Sequence, residues 1–220
     1  SLSLTVDAQS VDLNFADSSD MVPGNLNCPE SVVAAAVYYC FRCLLPDESP
    51  SCSGLFRRLK IKTKSRSILN AERPAAVAAG NVETSTRLVD LIFGALAQIL
   101  PEQIPAASQG TMNNLIFATA RCSYYETISG GTGAGAGFDG ADGVHSHMTN
   151  TAITDPEILE WRFPVRLERF AIRQDSGGTG KNNGGNGIVR QLVYTEPVSL
   201  SLLTQNRTQV PYGKDGGQAG

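Results

Sequence analysis

Apolar and polar residues alternate from Leu2 to Val6 and from Val11 to Phe15, so both stretches are predicted to be strands. From Pro29 to Leu45 the apolar spacing becomes helical, with Val33, Val37, Cys40, Phe41 and Leu44 on one stripe. Asn27 is the expected cap, Pro29 suits the first turn and Pro46 ends the run. Residues 46–56 are expected to be loop, and Arg58 to Lys62 a short strand. The clearest helical pattern runs from Val82 to Leu100, where Leu88, Leu91, Ile92, Ala95, Leu96 and Ile99 form a continuous stripe that should pack on a sheet. Gly80-Asn81 supplies its entry turn and cap, and Pro101 stops it.

Beyond residue 112 the character changes. Leu115–Thr119, Ser123–Ile128, Val165–Arg173, Ile188–Tyr194 and Val198–Thr204 carry β signals. Alternation slips between Leu167 and Phe170, which suits a β-bulge. The fold class is therefore α+β: a mixed front half over 1–112, with two main helices packed on sheet, and a mainly antiparallel β back half over 113–220 with glycine-rich loops.

Composition adds the position of the glycines. Seven lie between Gly130 and Gly143 and six between Gly177 and Gly187. Gly135-Ala-Gly-Phe-Asp-Gly140 satisfies G-x-G-x-x-G, but no amphipathic helix follows to hold a pyrophosphate. Gly177-Gly-Thr-Gly-Lys181 resembles the tail of a P-loop, yet Asp175 stands at the first glycine and Asn182 where Ser or Thr would bind magnesium. Asp139-Gly-Ala-Asp142-Gly lacks the spacing of a calcium loop. A tight turn with positive-φ glycines is the expectation for the second cluster.

Net charge is −3, which leaves no electrostatic footprint for nucleic acid or an anionic membrane. No apolar run reaches the ~18–20 residues of a bilayer span, and the first residues carry no basic n-region of a signal peptide. Five cysteines, an odd number, fit reduced thiols and a cytoplasmic protein. Cys40-x-x-Cys43, flanked by Cys28 and Cys52, has the residue types of a zinc site, but Cys40 falls in the apolar stripe of a helix. No metal is expected in this chain.

The two histidines of the chain sit together as His145-Ser-His147. On extended backbone, residues two apart share a face, so both imidazoles could converge on one point as metal ligands, or as a base beside an electrostatic stabiliser. Carboxylate partners in reach along the sequence are Glu126, Asp139, Asp142, Asp155 and Glu157. Thr149 and Asn150 add groups able to orient a polar substrate, and backbone amides at Gly130, Gly131 and Gly133 could contact substrate or an oxyanion.

Tyr125-Glu-Thr-Ile-Ser-Gly-Gly131, Gly143-Val-His-Ser-His-Met-Thr-Asn-Thr151, Thr154-Asp-Pro-Glu157, Arg162-Phe-Pro-Val-Arg166, Ser176-Gly-Gly-Thr-Gly180 and Gly184-Gly-Asn-Gly187 together resemble the hydantoinase B/5-oxoprolinase family. Upstream, Ala79-Gly-Asn-Val-Glu-Thr84 and Ala106-Ala-Ser-Gln-Gly-Thr111 match as well, so the resemblance runs along the whole chain. It implies the B component of an ATP-dependent hydrolase that opens a cyclic amide such as 5-oxoproline or a hydantoin. ATP is implied through a hydantoinase A-type ATPase partner, subunit or domain, and the N-terminal His/Asp region of the carboxylase relatives leaves a divalent metal open in the full-length protein. Acetone carboxylase-like chemistry and a non-catalytic docking or oligomerisation module are the alternatives. Family chains are longer, so residues 1–220 are expected to be one internal-to-C-terminal portion, inactive alone, of a homo-oligomeric enzyme. The residue roles come from side-chain chemistry: His145 and His147 as base or stabiliser, and Glu126 and Asp155 orienting them.

Overall fold

A computed structural model describes residues 1–50 and 52–220. The expected loop over 46–56 is found as turns and irregular backbone, except that residue 51 lies outside the described residues. The chain divides into two compact units, Ser1–Ile104 and Pro105–Gly220. The class is α+β, as the mixture of periodicities predicts.

In the first unit β1 (Ser3–Val6) pairs antiparallel with β2 (Val11–Asn14). Between them and β3 lies helix α1 (Glu30–Arg42); β3 (Leu59–Lys62) then joins β2 in parallel, giving the order β1-β2-β3. Helix α2 (Thr84–Leu96) follows a short 3-10 turn at Ala78–Gly80 and packs on α1. Val33, Ala36, Val37 and Cys40 of α1, and Leu88, Val89, Ile92 and Leu96 of α2, are buried. The stripe read from the sequence is therefore the packed face, and its principal partner is the other helix. Leu91 and Ile99, counted in that stripe, are instead 39% and 54% exposed, and Ile99 lies beyond the end of the helix at Leu96.

Neither expected cap forms. Pro29 is at the N-cap of α1, and the buried Asn27 side chain instead ties the preceding loop together, accepting from Val22 N (2.8 Å) and donating to Val22 O and Gly24 O (both 2.9 Å). Glu83 occupies the N-cap of α2, without a side-chain cap. Cys28 and Cys40 are buried free thiols; burial pushes Cys28 up to about 11, and Cys40 also lies above its ordinary value. Such thiols behave as small apolar side chains.

In the second unit β4 (Asn114–Ala118) is flanked by β5 (Ser123–Thr127) and β8 (Ser199–Leu203), all antiparallel. Helix α3 (Pro156–Arg162) leads into the hairpin of β6 (Val165–Ile172) and β7 (Ile188–Tyr194), whose register shifts between Leu167 and Arg169, where the alternation slipped. The sequence reading missed α3, although Asp155-Pro156 is a cap followed by proline in the first turn. Leu115, Phe117, Tyr124, Leu159 and Val165 form the core, with Phe163, Leu192 and Tyr194 against it. Phe117 sits at its centre, 5.2 Å from the Tyr124 and Tyr194 rings and 5.9 Å from Phe163.

The glycine-rich segments are laid backbone on backbone. Thr132 N donates to Ala141 O (3.1 Å), Gly185 N to Thr132 O (2.9 Å), Gly140 N to Asn183 O (2.8 Å) and Gly143 N to Asn186 O (2.9 Å). A Cβ on Gly131 would stand 1.8 Å from Gly185 O, and one on Gly185 2.0 Å from Ala141 O. The expectation of positive-φ glycines in the second cluster is corrected here: Gly177 to Gly187 contains none, and close approach explains them. Among the described residues no helix is long and apolar enough to cross a membrane.

Candidate functional site

Strand β5 places Tyr124 and Glu126 on its buried face, and β7 places Arg190 in the inward row with Ile188, Leu192 and Tyr194. Arg190 Nε donates to Glu126 Oε2 at 2.8 Å, with the two side chains only 1% and 2% exposed. The Phe170 ring, across the hairpin, covers the guanidinium at 5.1 Å. Charges this deep are stable only when paired and hydrogen-bonded.

The other carboxylate oxygen is also engaged. Tyr124 Oη donates to Glu126 Oε1 (2.8 Å), and Thr154 Oγ1 lies 2.7 Å from Tyr124 Oη and donates to it. Thr154 N donates to Glu126 Oε1 at 3.3 Å, and Arg190 Nη2 donates to Thr154 O at 3.0 Å. Burial and the Glu126 charge push the Tyr124 phenol up to about 12. Arg190 Nη1 is buried with no hydrogen-bond partner among the described residues.

His145 stands beside this network. Val144 N donates to Gly130 O (2.9 Å), so the histidine segment leaves directly from the glycine layer. Burial lowers the His145 pKa and the nearby Glu126 charge opposes that shift. Its Nε2 lies 3.4 Å from Thr151 Oγ1, while Nδ1 is buried without a partner among the described residues. His147 has φ 54°, a left-handed conformation that a non-glycine residue seldom adopts, and burial lowers its pKa to about 4. Both imidazoles are thus held toward the neutral form, which suits a proton acceptor.

The remaining candidates separate into distinct positions. Asp155 caps α3, accepting from Glu157 N (2.9 Å) and Ile158 N (3.3 Å). Asp139 accepts from Asn183 N (2.7 Å) and Asp142 from Asn186 N (2.6 Å), so both clamp the glycine layer; Glu157 lies in the first turn of α3. Thr149 is buried, with its amide donating to Ser146 O (3.2 Å), and Asn150 is exposed. At Gly130 and Gly133 a Cβ would lie 1.9 Å from the Gln109 side chain and from Ala106 O. Among the described residues no group of three His, Cys, Asp or Glu side chains could hold a metal ion.

Sequence reasoning missed Arg190, Tyr124 and Thr154. The signal was present as a charge in an otherwise apolar inward row, Ile188, Arg190, Leu192 and Tyr194, which demands an opposite charge elsewhere in the core.

A family model described as Hydantoinase B/oxoprolinase matches residues 1–220. The chain is 45% identical to 5-oxoprolinase 1 of Arabidopsis thaliana over 100% of its own length and 17% of that protein's. It is 42% identical to 5-oxoprolinase of Dictyostelium discoideum, covering 99% of this chain and 17% of the relative. The chain thus spans about one sixth of the length of these two relatives. Two solved structures share the fold. ATP-dependent caprolactamase from Pseudomonas jessenii matches with TM-score 0.77 at 24% identity, over 88% of this chain and 35% of that one. Acetone carboxylase in a nucleotide-free structure matches with TM-score 0.78 at 18% identity, over 91% and 28%.

Proposed function

The chain belongs to the Hydantoinase B/oxoprolinase family, and from that premise we propose that it is part of the B component of an ATP-dependent cyclic-amide hydrolase. Its partner in this reading is a hydantoinase A-type ATPase subunit or domain, its substrate a small lactam or hydantoin ring, and its setting a cytoplasmic homo-oligomer. The family and the relatives named 5-oxoprolinase support the reaction class. The observation that carries the site is His145, half-buried and neutral-leaning beside the buried Glu126–Arg190 pair, with a second neutral-leaning histidine two residues on.

An unactivated lactam resists water because amide resonance makes its carbonyl a poor electrophile and its nitrogen a poor leaving group. ATP, held by the partner, would supply phosphorylation of the carbonyl oxygen. On this chain the task is then to bring water to the activated carbon and accept its proton. The ring C–N bond breaks as that proton passes to the nitrogen, and a second water releases phosphate from the acyl phosphate left behind. His145 is the candidate base, since its Nδ1 has no partner among the described residues and its neutral form is favoured. His147 is placed as stabiliser, with Thr149 and Asn150 beside it along the segment and Gly130, Gly131 and Gly133 at its root. Glu126 serves as an orienting charge, because both its oxygens are already occupied. Asp155 contributes by fixing the start of α3.

The test is ADP release dependent on 5-oxoproline or a hydantoin, measured with the full-length protein and its ATPase partner. His145→Ala is expected to lower kcat by about 100-fold or more, in the range of a lost acid–base group. Wild-type turnover in the double variant His145→Ala/His147→Ala would remove the histidines from the chemistry. A docking role has one observation in its favour: Trp161 on α3 is 78% exposed beside Ile158 at 44%. Helix α2 offers less for such a role, since Leu88, Ile92 and Leu96 of its stripe are buried and Leu91 is the exposed apolar residue on it.

A further inference from the structure

The segment that carries the histidines is fixed at both ends. At its start Val144 is bridged to Gly130. At its end every polar atom of Thr154 is taken: the amide by Glu126, the hydroxyl by Tyr124, the carbonyl by Arg190. Between these anchors Thr151 Oγ1 approaches His145 Nε2.

Arg190 is central among these anchors because it acts twice. Nη2 holds Thr154 O directly, and Nε holds Glu126, which in turn receives Thr154 N. Tyr124 contributes one hydroxyl to the same cluster, whereas loss of Arg190 would leave Glu126 buried beside Thr154 without its counter-charge. The side chain is 1% exposed and capped by Phe170, so it meets neither bulk water nor a ring substrate in this arrangement. A role in chemistry would have to be exerted through its neighbours.

We infer that Arg190 is a positioning residue for His145: through Thr154 and Glu126 it fixes the far end of the segment that presents both histidines. The inference rests on the reading of His145 as the base, but the tether can be measured apart from activity. A planar guanidinium can serve Glu126 and Thr154 together from two of its nitrogens; a lysine ammonium is a single point charge on a flexible stem.

The experiment compares Arg190→Gln and Arg190→Lys in the full-length protein with its ATPase partner, by peptide-resolved hydrogen exchange and steady-state kinetics. In Arg190→Gln, exchange over 145–155 is expected to accelerate by about tenfold or more, while peptides of residues 1–104 and of β4 keep their protection. The same variant should lose about tenfold or more in kcat with KM within roughly twofold, as expected for a misplaced base. Arg190→Lys should fall between it and the wild type in both readouts, and it carries the test alone if Arg190→Gln does not fold. Unchanged exchange over 145–155, or protection lost evenly across 105–220, overturns the inference. Faster exchange over 145–155 with a fully active His145→Ala leaves the tether standing and removes the catalytic reading. An inactive His145→Ala beside an unaffected Arg190→Gln does the reverse.

Discussion

The two units reach close packing by opposite means. In residues 1–104 the core is made by adding side chains: a helical stripe on α2 meets one on α1, and each apolar residue fills space between them. In residues 105–220 there is a side-chain core around Phe117, but the segments that root the histidines are packed by leaving side chains out. There backbone lies directly on backbone, and main-chain hydrogen bonds between the two glycine-rich segments hold the layer. A side-chain core tolerates exchange among residues of similar volume. A backbone layer has no rotamer with which to adjust.

Substitutions should separate these two modes. Gly131→Ala places a Cβ 1.8 Å from a backbone carbonyl, which must move by more than an ångström while itself held in the layer. We expect a loss of about 4 kcal/mol or more, at the severe end for single substitutions. Denaturant titration followed by hydrogen exchange of the 130–144 and 176–187 peptides is the check, and a loss below about 1 kcal/mol would mean that the layer yields easily. Ile92→Ala in the helix pair empties a fully buried site instead. It should cost about 3 kcal/mol, with exchange increased in α1 and α2.

The same contrast explains what could be read from sequence. Periodicity reports side-chain burial, so α1, α2, the eight strands and the slip at Leu167 were legible. Helix α3 was missed because seven residues give too few turns for a stripe, and only Asp155-Pro156 marked it. The α1 cap failed because Asn27 found four backbone partners in its own loop and in the 76 region, a tertiary outcome that no local rule contains. At the site, the proximity of Glu126 to His145 was legible as residue chemistry, since rare polar groups cluster in sequence there. Arg190 lies 64 residues from Glu126, and only the pairing of two inward rows brings them together. The glycine clusters were visible as composition, but their close approach depends on segments far apart in the chain.

Acid should weaken the second unit through His147. Its folded pKa, about 4, lies below the ordinary 6.5 because burial disfavours the imidazolium. Between those values the unfolded chain binds more protons, so stability is lost as pH falls from about 6.5 toward 4 and levels off below. For a half-buried group the loss attributable to His147 should be about 2 kcal/mol. Urea midpoints at pH 7, 5.5 and 4 measure it, and His147→Gln should flatten that slope by a comparable amount. An unchanged slope in His147→Gln would place the acid sensitivity elsewhere.

The smallest expected effect isolates what glycine does here. Gly137 has φ +84° and nothing within 4 Å of the position its Cβ would take, whereas Gly131 needs no positive φ but has no room. Gly137→Ala therefore meets only the left-handed backbone penalty, about 1 kcal/mol. If conformational freedom were the reason for the glycines, Gly137→Ala would be the more damaging change. The order Gly131 well above Gly137 is required if close approach governs, and the unfolding midpoints of the two variants decide it. Equal losses would return the glycine layer to an ordinary set of turns, and the rigid root proposed for the histidine segment would go with it.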